Sequence, residues 1–236
     1  MSVLVSAQNL SHNYGASPSL VNVNLEIHAG QCFALLGPNG AGKTTFVKIM
    51  LGLQFPKSGS LKLFGEEAGV PHSRLQVGYL PEKFSFYPYY SVNDTLNFYA
   101  ALSAVAKNER DSAIALALSK LKIPELGEKK LSKLSKGQLQ RVGLAALLLG
   151  DKQLIILDEP FSGLDPIGIK DLKVLLREFT QAGKTLLINS HILSEVEPLC
   201  DHFGILNKGE LIVAGEKKTL LGSSSLEDFF SEKVQA

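Results

Sequence analysis

Along the chain, apolar and polar residues follow two different periods. Val21, Val23, Leu25 and Ile27 alternate with Asn22, Asn24, Glu26 and His28, the period of two that predicts a half-buried strand. After Gly30, Cys32-Phe33-Ala34-Leu35-Leu36 is apolar throughout and predicts a strand buried on both faces, as in a parallel sheet. Leu154–Leu157 and Thr185–Asn189 predict two more strands. Between them Leu172, Leu175, Leu176 and Phe179 recur at helical spacing, and Gly183 supplies a stop. Strand, helix, strand in this order implies an α/β fold whose parallel sheet has right-handed crossovers. Phe203–Leu206 and Glu210–Ala214 flank Asn207-Lys208-Gly209, a hairpin signal. From about residue 84 to residue 150 the pattern turns helical and rich in alanine and leucine, as in Ala113–Leu121 and Leu139–Leu149. This stretch reads as a helical subdomain inserted into the α/β core. The segment from Ser223 opens with three serines and reads as a short tail ending in a helix.

Composition narrows the classes. An apolar fraction of 45% over 236 residues suits a folded domain with a sizeable core. A formal net charge of +1 speaks against a general nucleic-acid binder. Two cysteines, Cys32 and Cys200, form no disulfide framework and no metal-ligand cluster. No stretch approaches the roughly 18–20 apolar residues that span a bilayer, and the N-terminus lacks the pattern of a signal peptide. The expected location is therefore cytosolic, with any membrane role supplied by a partner.

The chemistry lies in the loops. Gly37-Pro38-Asn39-Gly40-Ala41-Gly42-Lys43-Thr44 fits G-x-x-x-x-G-K-[ST] between a buried strand and a helix. Such a loop turns backbone N–H groups inward around phosphate oxygens at a helix N-terminus. Lys43 would face the β- and γ-phosphates and Thr44 would ligate Mg²⁺. Asp158 and Glu159 follow the buried strand Leu154–Leu157. A carboxylate at the C-terminal end of a parallel strand points into the ligand crevice. Asp158 can hold Mg²⁺, and Glu159 is placed to polarise a water. Leu134-Ser135-Lys136-Gly137-Gln138 precedes a helix. Ser135 either simply caps that helix or opens a second phosphate site. Two copies packed head to tail would use both sites.

With these residues in hand, the chain resembles the ATP-binding subunits of ABC transporters over nearly its whole length. Gly37–Thr44 is similar to the Walker A loop and Leu154–Glu159 to the Walker B strand with its catalytic glutamate. Leu134–Gln138 is similar to the signature LSGGQ, with Lys136 in place of the first glycine. Ser162-Gly163-Leu164-Asp165 resembles the D-loop, and His191 the switch histidine. The resemblance implies a P-loop NTPase (RecA-like) core with a mainly parallel sheet, an N-terminal antiparallel β subdomain and the inserted helical subdomain. That domain would cover residues 1–222, with 223–236 as the tail. It implies ATP and Mg²⁺ as ligands. Nucleotide contacts would come from Tyr14, Asn39, Gly40, Ala41, Gly42, Lys43, Thr44 and Thr45, and across a dimer from Ser135, Gly137 and Gln138. His191 is either a γ-phosphate contact or an ordinary histidine, and Tyr14 either stacks on adenine or merely packs.

The family's usual loop glutamine is replaced here by Glu82, in Tyr79-Leu80-Pro81-Glu82. Glu82 either serves as a metal or water ligand in catalysis or is an exposed carboxylate. Beyond it, Phe84, Phe86, Tyr87, Tyr89 and Tyr90 crowd around Pro88. Some suit a core, and the rest would suit a groove for a membrane subunit's helix. The run from Tyr79 to Pro88 is most similar to ATPases of ABC-2-type exporters. The expected assembly is a homodimer attached to a transmembrane permease at the cytoplasmic face of the inner membrane. A soluble ABC ATPase of the iron–sulfur cluster assembly type is the alternative.

Overall fold

Residues 2–235 are described by a computed structural model, in which the two sequence periods separate into two sheets. Strands β1 (Val3–Tyr14) and β2 (Ser17–His28) form a long hairpin. β2 starts before the alternation and changes phase at Asn22, whose φ is 49°: Leu20 is buried and Val21 only half-buried, after which Val23, Leu25 and Ile27 are buried as the alternation predicts. β3 (Cys32–Leu36) is buried at every position. It runs into α1 (Lys43–Met50), after which β4 (Ser58–Leu63) and β5 (Glu66–Glu67) complete an antiparallel sheet of order β2-β1-β4-β5.

β6 (Val77–Leu80) follows. The family resemblance set Tyr79-Leu80-Pro81-Glu82 in a loop, and the structure places Tyr79 and Leu80 in an edge strand paired with the second buried strand. Four residues with a glycine among them are too few to display a period, which is why the strand was hidden. The inserted stretch holds α2 (Val92–Leu102), α3 (Arg110–Lys120) and α4 (Lys136–Leu147). α4 begins three residues before the apolar run that announced it, because Ser135 and Gln138 form a reciprocal capping box.

β7 (Leu154–Asp158), α5 (Pro166–Gln181), β8 (Thr185–Asn189) and α6 (Leu193–Val196) continue the α/β alternation. β9 (His202–Asn207) and β10 (Glu210–Glu216) form the expected hairpin. Its turn residues Lys208 and Gly209 both have positive φ, 48° and 86°, as a tight two-residue connection requires. α7 (Lys217–Leu221) and α8 (Leu226–Gln235) end the described chain. α8 is docked: Leu226 is buried, and Phe229 packs edge-to-face on Phe203 with ring centres 5.8 Å apart.

The second sheet has order β10-β9-β3-β8-β7-β6 and is parallel except for β10. Its strands bury both faces by alternation. Cys32, Ala34 and Leu36 join the helices of the insertion and α5, while Phe33 and Leu35 join α1 and the antiparallel sheet. No helix among the described residues is long and apolar enough to cross a membrane. The two cysteines are buried thiols with sulfurs 3.4 Å apart.

Candidate active site

The parallel strands deliver the reactive residues to one edge. β3 ends at Leu36 and enters the 37–44 loop; β7 ends at Asp158, β8 at Asn189, and β6 just before Glu82. Pairing sets Asp158 beside Asn189 and Leu80 beside Leu157, so these ends are adjacent. This is the crevice outside the carboxyl ends where open α/β sheets bind ligands.

The phosphate loop is confined by backbone. At Gly37 an added Cβ would run into the Leu206 carbonyl, and at Gly42, with φ of 108°, into the Ser19 carbonyl. Neither position accepts a side chain, so the loop lies against the β9–β10 turn and against β2. Gly209 N donates to Ala41 O at 3.0 Å, closing the same contact. Asn39, Gly40 and Thr44 are exposed, whereas Ala41, Gly42, Lys43 and Thr45 are buried. The Thr45 hydroxyl is bonded to Ser19 Oγ at 2.7 Å, a partner the sequence pattern did not single out.

Lys43 is only 8% exposed. Its ammonium donates to the carbonyls of Gly37 at 2.6 Å and Pro38 at 3.2 Å. Burial lowers its pKa, against the pull of Glu159 and Asp158, which favours the charged form. Asp158 is buried as well, and burial raises its pKa first of all. Asn189 Nδ2 donates to it at 3.4 Å and works the other way, while Glu159 and Glu82 add repulsion and Lys43 attraction. The Tyr79 hydroxyl is pushed up to about 12 by burial and by Asp158, so it stays neutral.

Glu159 and His191, remote in sequence, meet. Glu159 Oε2 lies 2.8 Å from His191 Nδ1 and accepts from His191 N and Ser190 Oγ, each at 3.3 Å. The Glu159 side chain is 11% exposed and that of His191 59%. With Nδ1 on the carboxylate, the exposed ring leaves Nε2 for a ligand. Glu82 is exposed and near enough to Asp158 to act on its ionisation. Tyr14 stands at the end of β1, 46% exposed, edge-on to His12 with centres 4.9 Å apart.

The residues present suit a polyphosphate and Mg²⁺. The buried Lys43 ammonium is held by the carbonyls of the 37–44 loop, and the carboxylates of Asp158 and Glu159, close enough to act on it, supply hard oxygen donors. Asn189 Oδ1 is buried there without a partner. Among the described residues no trio of His, Cys, Asp or Glu forms a metal cage by itself.

Ser135, Gly137 and Gln138 lie apart from these residues at the start of α4. Ser135 N donates to Gln138 Oε1 at 3.0 Å and Gln138 N to Ser135 Oγ at 3.2 Å. Among the described residues none of their hydrogen bonds reaches the 37–45 loop. The aromatic stretch divides. Phe84 and Phe86 pack against the core, whereas Tyr87, Tyr89 and Tyr90 are 69%, 61% and 48% exposed. Tyr87, Tyr90, Phe98 and Tyr99 line a groove of about 340 Å³.

Comparison with known proteins gives a family. A family profile described as ABC transporter matches residues 20–162. An uncharacterised ABC transporter ATP-binding protein of Nostoc sp. is 42% identical over 88% of this chain. The chain spans 62% of that protein's length and 58% of a similar Synechocystis protein's. The lantibiotic transport ATP-binding protein SrtF of Streptococcus pyogenes is 37% identical over 98% of this chain and 97% of its own. A solved ATP-binding subunit of an ABC transporter superposes with a TM-score of 0.90 at 30% identity, covering 98% of this chain and 99% of that one. The structure of cbiO1 from Clostridium perfringens, part of the ABC transporter complex cbiONQ, gives 0.82 at 28% identity, covering 94% and 92%.

Proposed function

The chain belongs to the ABC transporter ATP-binding proteins, and from that membership we propose that it hydrolyses ATP to drive a separate membrane-spanning subunit. The observation that carries the reading is the convergence of Lys43, Asp158, Glu159 and His191 at one sheet edge. Asn39–Thr45 wrap the phosphates, with Lys43 as their cation, and Tyr14 stacks on the base. Glu159 draws a proton from the attacking water, held in place by Ser190 and His191. His191 turns Nε2 toward the γ-phosphate. Thr44, Asp158 and Glu82 would hold Mg²⁺, which would supply charge neutralisation at the phosphates.

Two copies assemble head to tail with two ATP between them, each offering Ser135, Gly137 and Gln138 to the nucleotide of the other. The helix start supports this: beyond the Ser135–Gln138 capping pair, the N–H groups of Lys136 and Gly137 at its positive dipole end suit a γ-phosphate. The permease docks in the groove lined by Tyr87, Tyr90, Phe98 and Tyr99, which places the protein at the cytoplasmic face of the inner membrane. An ABC-2-type exporter is the best-supported class. SrtF carries a lantibiotic transport name, and a 33% identical relative in Cupriavidus metallidurans is named for Nod factor export.

Nucleotide binding tests the reading. Lys43→Ala should weaken ATP binding at least about tenfold, the loss of one charge-assisted contact, as titrated by fluorescence or calorimetry. Unchanged affinity would remove the phosphate loop from the mechanism.

A further inference from the structure

Glu159 has a backbone that its neighbours must hold. Its φ of 49° is in the left-handed region, where a residue other than glycine persists only when the surroundings impose it. Pro160 narrows its choices further. On the sheet side, Glu159 N donates to Asn189 O at 2.8 Å, and Ser162 N closes back on Glu159 O at 3.1 Å.

On the other side the hold comes from α4. Gln140 is 7% exposed, and its Nε2 donates to the carbonyl of Pro160, the residue after Glu159. A buried amide is costly unless bonded, so this bond fixes where the turn can lie. Four residues earlier, on the same face of the helix, Lys136 lies across the same turn. A Cβ built on Gly163 would stand 2.7 Å from Lys136 Cε and 3.2 Å from its Cδ. α4 thus meets the 159–163 turn at both ends.

We infer that Gln140 is a positioning residue for Glu159. It rests on the reading of Glu159 as the base. Gln140 holds the turn that sets the carboxylate against the sheet, so the helical subdomain orients the base of its own chain. In the two-copy assembly, the first turn of α4 faces the other copy's ATP, and its next turn steadies its own chain's base. One helix therefore serves both nucleotides.

Steady-state kinetics of the full chain decide the matter. Gln140→Met keeps the length and removes the donor. It should lower kcat roughly tenfold to a hundredfold, the effect of a misplaced reacting group, and leave KM for ATP unchanged. Gln140→Leu, which likewise lacks the donor, should do the same and covers the case in which the first variant folds poorly. Because Gln140 acts through Glu159, adding Gln140→Met to Glu159→Gln should cost no further rate. An unchanged kcat, or an equal fractional loss in the Glu159→Gln background, overturns the inference. If Glu159→Gln alone hydrolyses at the parent rate, the base assignment fails and this inference falls with it.

Discussion

Asp158 and Lys43 are charged groups kept dry, and each has a cost in stability. Burial raises Asp158 above its unfolded value. A raised carboxyl stabilises the fold fully below the unfolded pKa, and that stability is lost as pH rises through the folded pKa. Burial depresses Lys43, whose contribution is present above its unfolded pKa and lost as pH falls through the folded one. At neutral pH both therefore weaken the fold. Asp158→Asn should raise the melting temperature by roughly 2–4 °C near pH 7, the shift of about 1 kcal/mol in a chain of this size. The gain should vanish below the carboxylate range, while Mg²⁺-dependent ATP hydrolysis is lost. Thermal melts across pH check this, and a lower melting temperature at pH 7 would contradict it. At this scale Lys43, Asp158, Glu159 and His191 were legible, because loop chemistry at strand ends leaves a sequence mark. Ser19 and Gln140 were not. Each acts through a hydrogen bond to a residue 26 or 20 positions away, and nothing local announces such a partner.

At the scale of elements, the proposed docking groove depends on α2. Ser91 caps it through a reciprocal bond pair with Asp94, and the Asp94 carboxyl is held low by the Ser91 side chain. Val92, Thr95, Leu96 and Ala100 bury one face, which leaves Phe98 on the outer face at 58% exposure, lining the same groove as Tyr87. Exposed aromatics lining a groove suit a partner helix better than water. Tyr87→Ala combined with Phe98→Ala should leave ATP hydrolysis by the isolated chain unchanged. Co-fractionation with membranes that carry its native permease should weaken about 30-fold or more, the loss of a hot spot near 2 kcal/mol. Undiminished fractionation would move the docking site elsewhere. The sequence displayed the long elements and hid the irregular ones. β1 breaks its alternation at Asn9, which has a φ of 48° in a bulge between Ala7 and Leu10, and a bulge shifts every later residue to the other face. β6 is too short to show a period.

For the whole molecule, the separation of the two regions proposed to meet phosphate has the widest reach. The 37–45 loop lies at the sheet edge, while Ser135–Gln138 close their hydrogen bonds on themselves at the start of α4. A chain with one nucleotide has no use for two γ-phosphate sites; a pair of chains uses both. The α/β core and the helical stretch were readable, and the motif residues fall on strand ends and helix starts. How two chains face each other was not, since that depends on surfaces that no local pattern describes. Glu159→Gln tests the account most directly, because it removes the base and leaves Lys43 and the α4 start in place. In sedimentation with ATP, the account predicts that this variant binds nucleotide and shifts from one-chain to two-chain mass, while the same variant with ADP stays at one. A variant that binds ATP yet stays at one-chain mass at every concentration would contradict it.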